Sequence, residues 1–155
     1  MDFRIFGLPA EPFAPLFDLS DEALARLGAL RRQADRHPGF PCRVSLRDAP
    51  LGAQLLLLNY EHLPVAGPYR SRHAIYVQRG AAPARLAVNE VPESLRSRLL
   101  SVRAFDAEGL LLDAEVVPGA ELPWAIERLL APAPAAWLHV HNARHGCYAA
   151  RVERA

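Results

Sequence analysis

The pattern of hydrophobic and polar positions changes from a helical period to a strand period near residue 40. Over residues 18–36 apolar side chains recur every three or four positions, and this spacing predicts an amphipathic helix. These positions are Leu24, Leu27, Leu30 and Ala34. Ser20 or Asp18 suits the N-cap of this helix, and Pro38-Gly39 suits its end.

Beyond the helix, aliphatic and aromatic residues occur in short segments bounded by Pro, Gly and Asp, which is typical of strands. Three strands are predicted at Cys42–Leu46, Gln54–Glu61 and Arg72–Gln78. The run Leu55–Leu58 is apolar on both faces, so we expect its strand to be central and covered on each side.

The second half of the chain mixes helices and strands. A short helix is predicted from Pro92 to about Leu99, and a second one over Leu122–Leu130. A hairpin is predicted where Ser101–Phe105 and Leu110–Val117 flank a loop that contains Gly109. The remaining predicted elements are strands at Ala136–His141 and Cys147–Val152, joined by a turn over residues 143–146.

The order of these elements predicts an α+β fold. A doubly wound parallel sheet needs a helix between most strands, and the pattern lacks those helices. We therefore expect a single domain over residues 1–155, with one largely antiparallel sheet of six or seven strands and two or three helices. A chain of 155 residues is also long enough to bury the core of one domain.

Composition and charge exclude several classes of function. All 18 basic residues are Arg, so the chain has no Lys for a Schiff base, for covalent pyridoxal phosphate or for a phosphate-binding P-loop. The net charge of +1 supplies no overall attraction for nucleic acid or for an anionic membrane, and we expect neither as a partner.

A cytoplasmic location is predicted by three features of the sequence. The N-terminus has no apolar run of the kind found in signal peptides. The longest aliphatic stretch, Leu55–Leu58, is too short to span a bilayer. The two cysteines, Cys42 and Cys147, show no CxxC spacing, which favours free thiols in a reducing compartment.

The densest polar cluster extends from Trp137 to Tyr148 and contains a candidate metal site. On a strand, His139 and His141 project from the same face, and two imidazoles at this separation suit a divalent transition metal such as Zn²⁺, Fe²⁺ or Ni²⁺. The third ligand stays open at this point, and the candidates are His145, His73, His62, Glu61 and Cys147. In the alternative interpretation both histidines are half-exposed sheet residues stacked with Trp137 and Tyr148.

A second cluster predicts a pocket for a small anionic molecule. Strand alternation places Tyr60 and His62 on one face, and the chain returns Arg70 and Arg72 near the same rim. Guanidinium groups bind carboxylate or phosphate with two hydrogen bonds, and a histidine beside them moves a proton near neutral pH. Alternatively, these arginines are solvated or pair with Glu61 and Asp48.

The cysteines give a third hypothesis, nucleophilic catalysis. Cys42 and Cys147 each have a basic neighbour in the sequence that stabilises a thiolate, and a histidine base completes the arrangement. The alternative is that both are small buried thiols.

Seven stretches together resemble a known family over nearly the whole chain and in order. They are FRIFGLP, LFDLSDEALARLGA, PGFPCRVSLRDA, LLLLNYEHLP, PYRSRHAIYV, LLSVRAFDAEGL and HVHNARHGCYAARVERA. The chain resembles the bacterial family of small proteins called domain of unknown function 1203. The resemblance implies a single-domain bacterial protein, and it implies no particular activity. Asn142, Gly146 and Cys147 fit the family's pattern.

The leading hypothesis is a small enzyme or ligand-binding protein whose site forms where the His139–His141 strand meets residues 59–73. We expect His139, His141 and His73 to act as ligands or acid/base groups and Cys147 as a nucleophile or ligand. The anion would be bound by Tyr60, Arg70, Arg72 and Asn142. The competing hypothesis is a non-catalytic interaction module or a homodimer-forming protein with no bound metal.

Overall fold

The computed structural model describes all 155 residues and contains ten strands in two sheets of five. The strands are β1 (Phe3–Phe6), β2 (Ala29–Gln33), β3 (Pro41–Cys42), β4 (Arg47–Asp48), β5 (Gln54–Leu63), β6 (Ser71–Gln78), β7 (Leu99–Phe105), β8 (Leu111–Pro118), β9 (Trp137–Asn142) and β10 (Tyr148–Arg154). The helices are α1 (Asp21–Arg26), α2 (Glu93–Arg96) and α3 (Leu122–Leu130), and two 3₁₀ turns lie at Ala14–Asp18 and Gly119–Glu121. None of the helices has the length and apolar character of a membrane-spanning segment.

The prediction of one sheet with six or seven strands is wrong, although the α+β class holds. The first sheet has the order β1-β10-β9-β7-β8 and is antiparallel throughout. The second has the order β2-β5-β6-β3-β4, with one parallel pair, β3 and β6. Alternation of apolar residues identifies strands, but it contains no information on which strands pair, and that is why the division into two sheets was missed.

Each sheet has its own hydrophobic core. The larger core of 20 residues joins the first sheet to α3, which buries Ile126 and Leu129 against it. The second core of 12 residues covers one face of β5 and β6 with Phe13, Phe17 and Leu24. Every strand must bury its apolar face against some partner. Because each sheet is covered by its own set of apolar residues, the chain is stable as two sheets rather than one.

The predicted helix over residues 18–36 is also wrong in its second half. Helix α1 begins after Ser20, whose side chain accepts a hydrogen bond from the Ala23 N–H, and the chain leaves the helix at Gly28 with φ +69°. The next five residues form β2, which pairs with β5. Leu27 and Leu30, expected on the buried face of a long helix, are 58% and 46% exposed.

Most later elements agree with the sequence-based predictions. Helix α3 has the predicted bounds, and the β7–β8 hairpin and the β9–β10 pair lie within two residues of theirs. Gly109, in the hairpin loop, has φ +83°, a conformation that favours glycine. The strand expected over Cys42–Leu46 stops at Cys42 because the chain then turns, and Leu46 has φ +52°.

The two sheets meet where strands β5 and β6 of the second sheet pack against strands β9 and β10 of the first sheet. Tyr148 of β10 is buried in the core of the second sheet. The buried Arg43 side chain, which follows β3, donates from Nε to the carbonyl oxygen of Tyr148 at 2.7 Å. This junction brings together side chains that are far apart in the sequence.

Candidate functional site

Four histidines from both sheets converge at the junction. His62 lies on β5, His73 on β6, and His139 and His141 on β9. One ring nitrogen from each of His62, His139 and His141 lies within 4.8 Å of the other two. His139 and His141 are 1% and 0% exposed, and His62 is half-buried.

The alternation of β9 explains why its two histidines face the second sheet. Leu138 and Val140 point into the larger core and are fully buried there. His139 and His141 therefore project from the opposite face, and their ring centroids lie 6.3 Å apart. A strand that is buried on both faces and bears two imidazoles on one of them needs polar partners on that side.

The hydrogen bond of His141 determines which of its nitrogens is free. Its Nδ1 lies 2.9 Å from the carbonyl oxygen of Gly146, and a carbonyl only accepts, so Nδ1 carries the proton. Nε2 of the neutral ring is then an acceptor. This atom is buried and has no hydrogen-bond partner in the structure. A backbone carbonyl that holds one imidazole nitrogen commonly orients the other toward a metal.

His62 contacts two of the other histidines. Its Nε2 lies 2.7 Å from Nδ1 of His73, which is a hydrogen bond, whereas its Nδ1 lies 3.4 Å from Nδ1 of His139. The second distance is long for a hydrogen bond. It matches the separation of about 3.4 Å between two nitrogens bound tetrahedrally to zinc at about 2.05 Å.

Burial keeps all four imidazoles uncharged near neutral pH. Burial lowers the pKa of His139 to about 2 and that of His141 to about 3, with the neighbouring histidines and Arg103 contributing to both shifts. Burial, His73 and Arg103 lower the pKa of His62 to about 4. Burial and Arg103 also lower the pKa of His73. Neutral rings keep the lone pairs that a metal requires.

Tyr148 closes one side of the histidine cluster. Its ring stacks on His62 with centroids 4.8 Å apart and meets His139 edge-on at 5.0 Å. Burial raises the pKa of Tyr148, so its hydroxyl stays protonated. The aromatic wall supplies low-polarity surroundings for the imidazoles.

A cavity of about 730 Å³ lies beside the cluster. Its polar lining residues are Arg36, Arg43, His73, Ser97, Arg98, Asn142, Arg144, His145 and Cys147. Leu57, Tyr76 and Leu99 form part of its apolar wall. His73 belongs both to the cavity and to the histidine cluster, because it lines the cavity and forms a hydrogen bond with His62.

Cys147 receives hydrogen bonds from two side chains at the cavity. Nη2 of Arg43 lies 3.1 Å from its sulfur, and Nδ2 of Asn142 lies 3.5 Å from it. Burial lowers the pKa of Arg43, while the nearby Cys147 opposes that shift. Both cysteines are free, and Cys42 is buried and accepts from the backbone N–H of Gln78.

The structure brings some of the predicted site residues together and separates others. His73, Asn142 and Cys147 lie at the cavity. The candidate third ligand, His62, lies between His73 and the two histidines of β9. The other predicted residues have different partners: Tyr60 packs on Phe13, Arg70 pairs with Glu61 at 2.5 Å, and Arg72 donates to Asn59. None of these three lines the cavity. Their role in anion binding stays a prediction.

None of the four arginines that line the cavity, Arg36, Arg43, Arg98 and Arg144, was predicted as a site residue. Arg43 is only 2% exposed, and Arg98 forms an ion pair with Asp48 at 2.6 Å. The position of Arg43 between the apolar residues Cys42 and Val44 is the sequence signal that could have identified it. An arginine within an apolar run needs a specific set of partners.

Comparison with known proteins identifies the family. The model of the family described as "Protein of unknown function (DUF1203)" matches residues 39–154. The chain belongs to this family. The DUF1203 match includes all four clustered histidines and every cavity arginine except Arg36. No curated protein and no solved structure matches the chain.

Proposed function

We propose that this DUF1203 protein binds one divalent transition-metal ion, such as Zn²⁺, through His62, His139 and His141. The observation that carries the proposal is the buried Nε2 of His141, which has no hydrogen-bond partner, on a ring grouped with two other imidazoles. Leaving a buried acceptor unpaired costs about 1–3 kcal/mol, and coordination removes that cost.

The ligand set supports a catalytic type of metal centre. Three protein nitrogens leave a tetrahedral ion one position for water or a substrate, whereas structural zinc sites use four protein ligands. Imidazole ligands suit Zn²⁺, Fe²⁺ and Ni²⁺, and a bound ion of this kind supplies Lewis-acid chemistry. The separations of up to 4.8 Å require small ring rotations to close the three nitrogens around an ion.

His73 is the positioning residue of the proposed centre. When His62 binds through Nδ1, its Nε2 carries the proton and donates to Nδ1 of His73. The neutral His73 ring then carries its own proton on Nε2. This hydrogen bond holds the orientation of His62, and it links the proposed centre to the cavity that His73 lines.

Metal titration tests the proposal. Protein freed of metal with a chelator is titrated with Zn²⁺, and separately with Co²⁺, whose visible absorption reports its coordination. We expect one ion per chain, nitrogen coordination of Co²⁺, and a rise in Tm of roughly 5–10 °C at a hundredfold excess of Zn²⁺ over Kd. An absence of stoichiometric binding together with an unchanged Tm would overturn the proposal.

Matched histidine variants locate the ion. His62→Ala should weaken Zn²⁺ binding about 100-fold or more, since one of three ligands is lost. His37→Ala is the control, because His37 is exposed and bonds to the carbonyl of Ala49, away from the cluster. Circular dichroism checks that both variants fold, and equal losses of affinity in the two would contradict the assignment.

The free thiols support a reducing environment. Cys42 and Cys147 form no disulfide, as is usual for proteins of the cytoplasm. We therefore also propose a cytoplasmic location, which fractionation of the native host tests directly. Recovery of the protein outside the cytoplasmic fraction would contradict it.

A further inference from the structure

The cavity beside the histidines concentrates positive charge. Four arginines line it, Arg36, Arg43, Arg98 and Arg144, and no Asp or Glu does. The whole chain carries a net charge of only +1. A concave site lined by one sign of charge attracts ligands of the opposite sign.

Two of the four arginines have a carboxylate partner and two do not. Arg36 pairs with Asp35 at 3.2 Å and Arg98 with Asp48 at 2.6 Å. Arg144 is exposed and forms no ion pair. The cavity therefore retains the charges of Arg43 and Arg144 without compensation.

Of these two arginines, Arg43 is the stronger evidence for an anion site, because its guanidinium is buried. It donates to the carbonyl oxygens of Pro41 and Tyr148 and to the sulfur of Cys147, and it forms no ion pair with a carboxylate. These bonds use three of its five N–H groups. A buried cation without a counter-charge is costly, and a bound anion compensates it.

The same cavity has an apolar wall. Leu57, Tyr76 and Leu99 line it, and the Tyr76 ring is held by an edge contact with Phe40 at 5.1 Å. Its volume of about 730 Å³ is in the range of pockets for small organic ligands. The lining thus offers a cationic part and an apolar part to one ligand.

We propose that this cavity binds a small organic anion, with its carboxylate or phosphate group at Arg43 and Arg144 and its apolar part against Leu57 and Tyr76. Guanidinium groups hold both kinds of anion with charge-assisted hydrogen bonds. The proposal does not depend on the metal centre, because none of these four residues belongs to the histidine cluster.

Calorimetric titration of chelator-treated protein tests the proposal apart from any metal. Phenyl phosphate and benzoate serve as the probes, and the tighter one identifies the preferred anionic group. We expect phenyl phosphate to bind about 10-fold more tightly than inorganic phosphate, because its ring is buried. Benzyl alcohol, which has the ring without the charge, should not bind. Equal affinities for phenyl phosphate and inorganic phosphate would overturn the role of the apolar wall, and an absence of binding at millimolar concentrations would overturn the proposal.

Matched arginine variants test the position of the anion. Arg144→Gln should weaken binding of the preferred probe about 10-fold through loss of one charge-assisted bond. Arg26→Gln removes the same charge from an exposed position on α1 outside the cavity and should leave affinity unchanged. Unchanged affinity in Arg144→Gln, or an equal loss in both variants, would overturn the assignment.

Discussion

His141 donates a hydrogen bond from Nδ1 to the carbonyl oxygen of Gly146, at 2.9 Å. Gly146 lies in the turn between β9 and β10, and the next residue is Cys147 at the cavity. The turn is tied back to the strand, since the Gly146 N–H donates to the carbonyl of Asn142 at 2.7 Å. One short turn therefore orients a proposed metal ligand and a side chain of the anion cavity.

The conformation of Gly146 makes this turn sensitive to substitution. Its φ is +73°, and Gly146→Ala should cost about 1–2 kcal/mol of unfolding free energy and weaken Zn²⁺ binding by disturbing His141. Gly67→Ala is the control, because neither position has a heavy atom within 4 Å of an added Cβ and only Gly146 has a positive φ. Urea unfolding and Zn²⁺ titration measure both effects, and equal behaviour of the two variants would count against the argument.

Removal of the His73 imidazole should weaken the metal centre without abolishing it. His73→Ala deletes the acceptor for His62 Nε2, and we expect a 10–100-fold loss of Zn²⁺ affinity with one ion per chain retained. His145→Ala, at an exposed position of the cavity, should leave Zn²⁺ affinity unchanged. The role of His73 is refuted if its variant binds Zn²⁺ as tightly as the His145 variant does.

Substitution on the other face of β9 should separate stability from metal binding. Leu138 is fully buried in the larger core, so Leu138→Ala should lower the free energy of unfolding by about 2–5 kcal/mol. Because Leu138 points away from the histidines, the folded variant should bind Zn²⁺ with unchanged affinity. Urea titration and calorimetry at a temperature where the variant is folded provide the measurements, and a parallel loss of affinity would show that the two faces are coupled.

The ion pair between Asp48 and Arg98 predicts a pH dependence of stability. Burial alone would raise the pKa of Asp48, but two hydrogen bonds from Arg98, at 2.6 and 2.9 Å, outweigh burial and lower that pKa below its usual 3.8. The unfolded chain then binds the proton more readily. The stabilisation is present above about pH 4 and is lost as the pH falls through the lowered pKa.

Asp48→Asn isolates this contribution from that of the other carboxylates. The variant should be less stable than the wild type by about 3 kcal/mol at pH 7, since Arg98 loses its counter-charge. The difference should begin to shrink below about pH 4, where Asp48 of the unfolded wild type binds a proton, and it should continue to shrink until the pH falls through the lowered pKa of the folded state. Urea unfolding of both proteins from pH 7 to pH 3 measures it, and a difference that stays constant would assign the effect to packing.

Much of the local structure was predictable because it depends on near neighbours in the sequence. Helix α3 repeats apolar residues at helical spacing after Pro123, and the β7–β8 hairpin has Gly109 where its loop requires a positive φ. The α1–β2 boundary was missed because Leu30 and Ala34 continue the helical spacing, while backbone pairing of Ala29–Gln33 with β5 overrides it. Helical propensity is a weak preference that tertiary pairing readily reverses.

The candidate site was also predictable only in part: the features that depend on local geometry followed from the sequence, and those that depend on the packing of the two sheets did not. Strand alternation predicted that His139 and His141 share one face, and it left five candidates for the third ligand. The choice of His62 follows from the packing of β5 against β9 across the two sheets. Arg70 and Arg72, predicted near Tyr69 to bind an anion, pair locally with Glu61 and Asn59, and their role in anion binding stays a prediction. The cavity is lined by Arg43 and Arg98 from other segments.

By itself, the sequence determined the later strands and helices, the shared face of the β9 histidines and membership in a family, since each depends on residue order or short-range geometry. The tertiary structure alone decided that the strands form two sheets, that His62 and His73 contact the two histidines of β9, and that Arg43 is buried at a cavity. These relationships join residues about 65–105 positions apart. Contacts over such separations depend on which strands pair and how the sheets pack, and the periodicity of a sequence does not encode either.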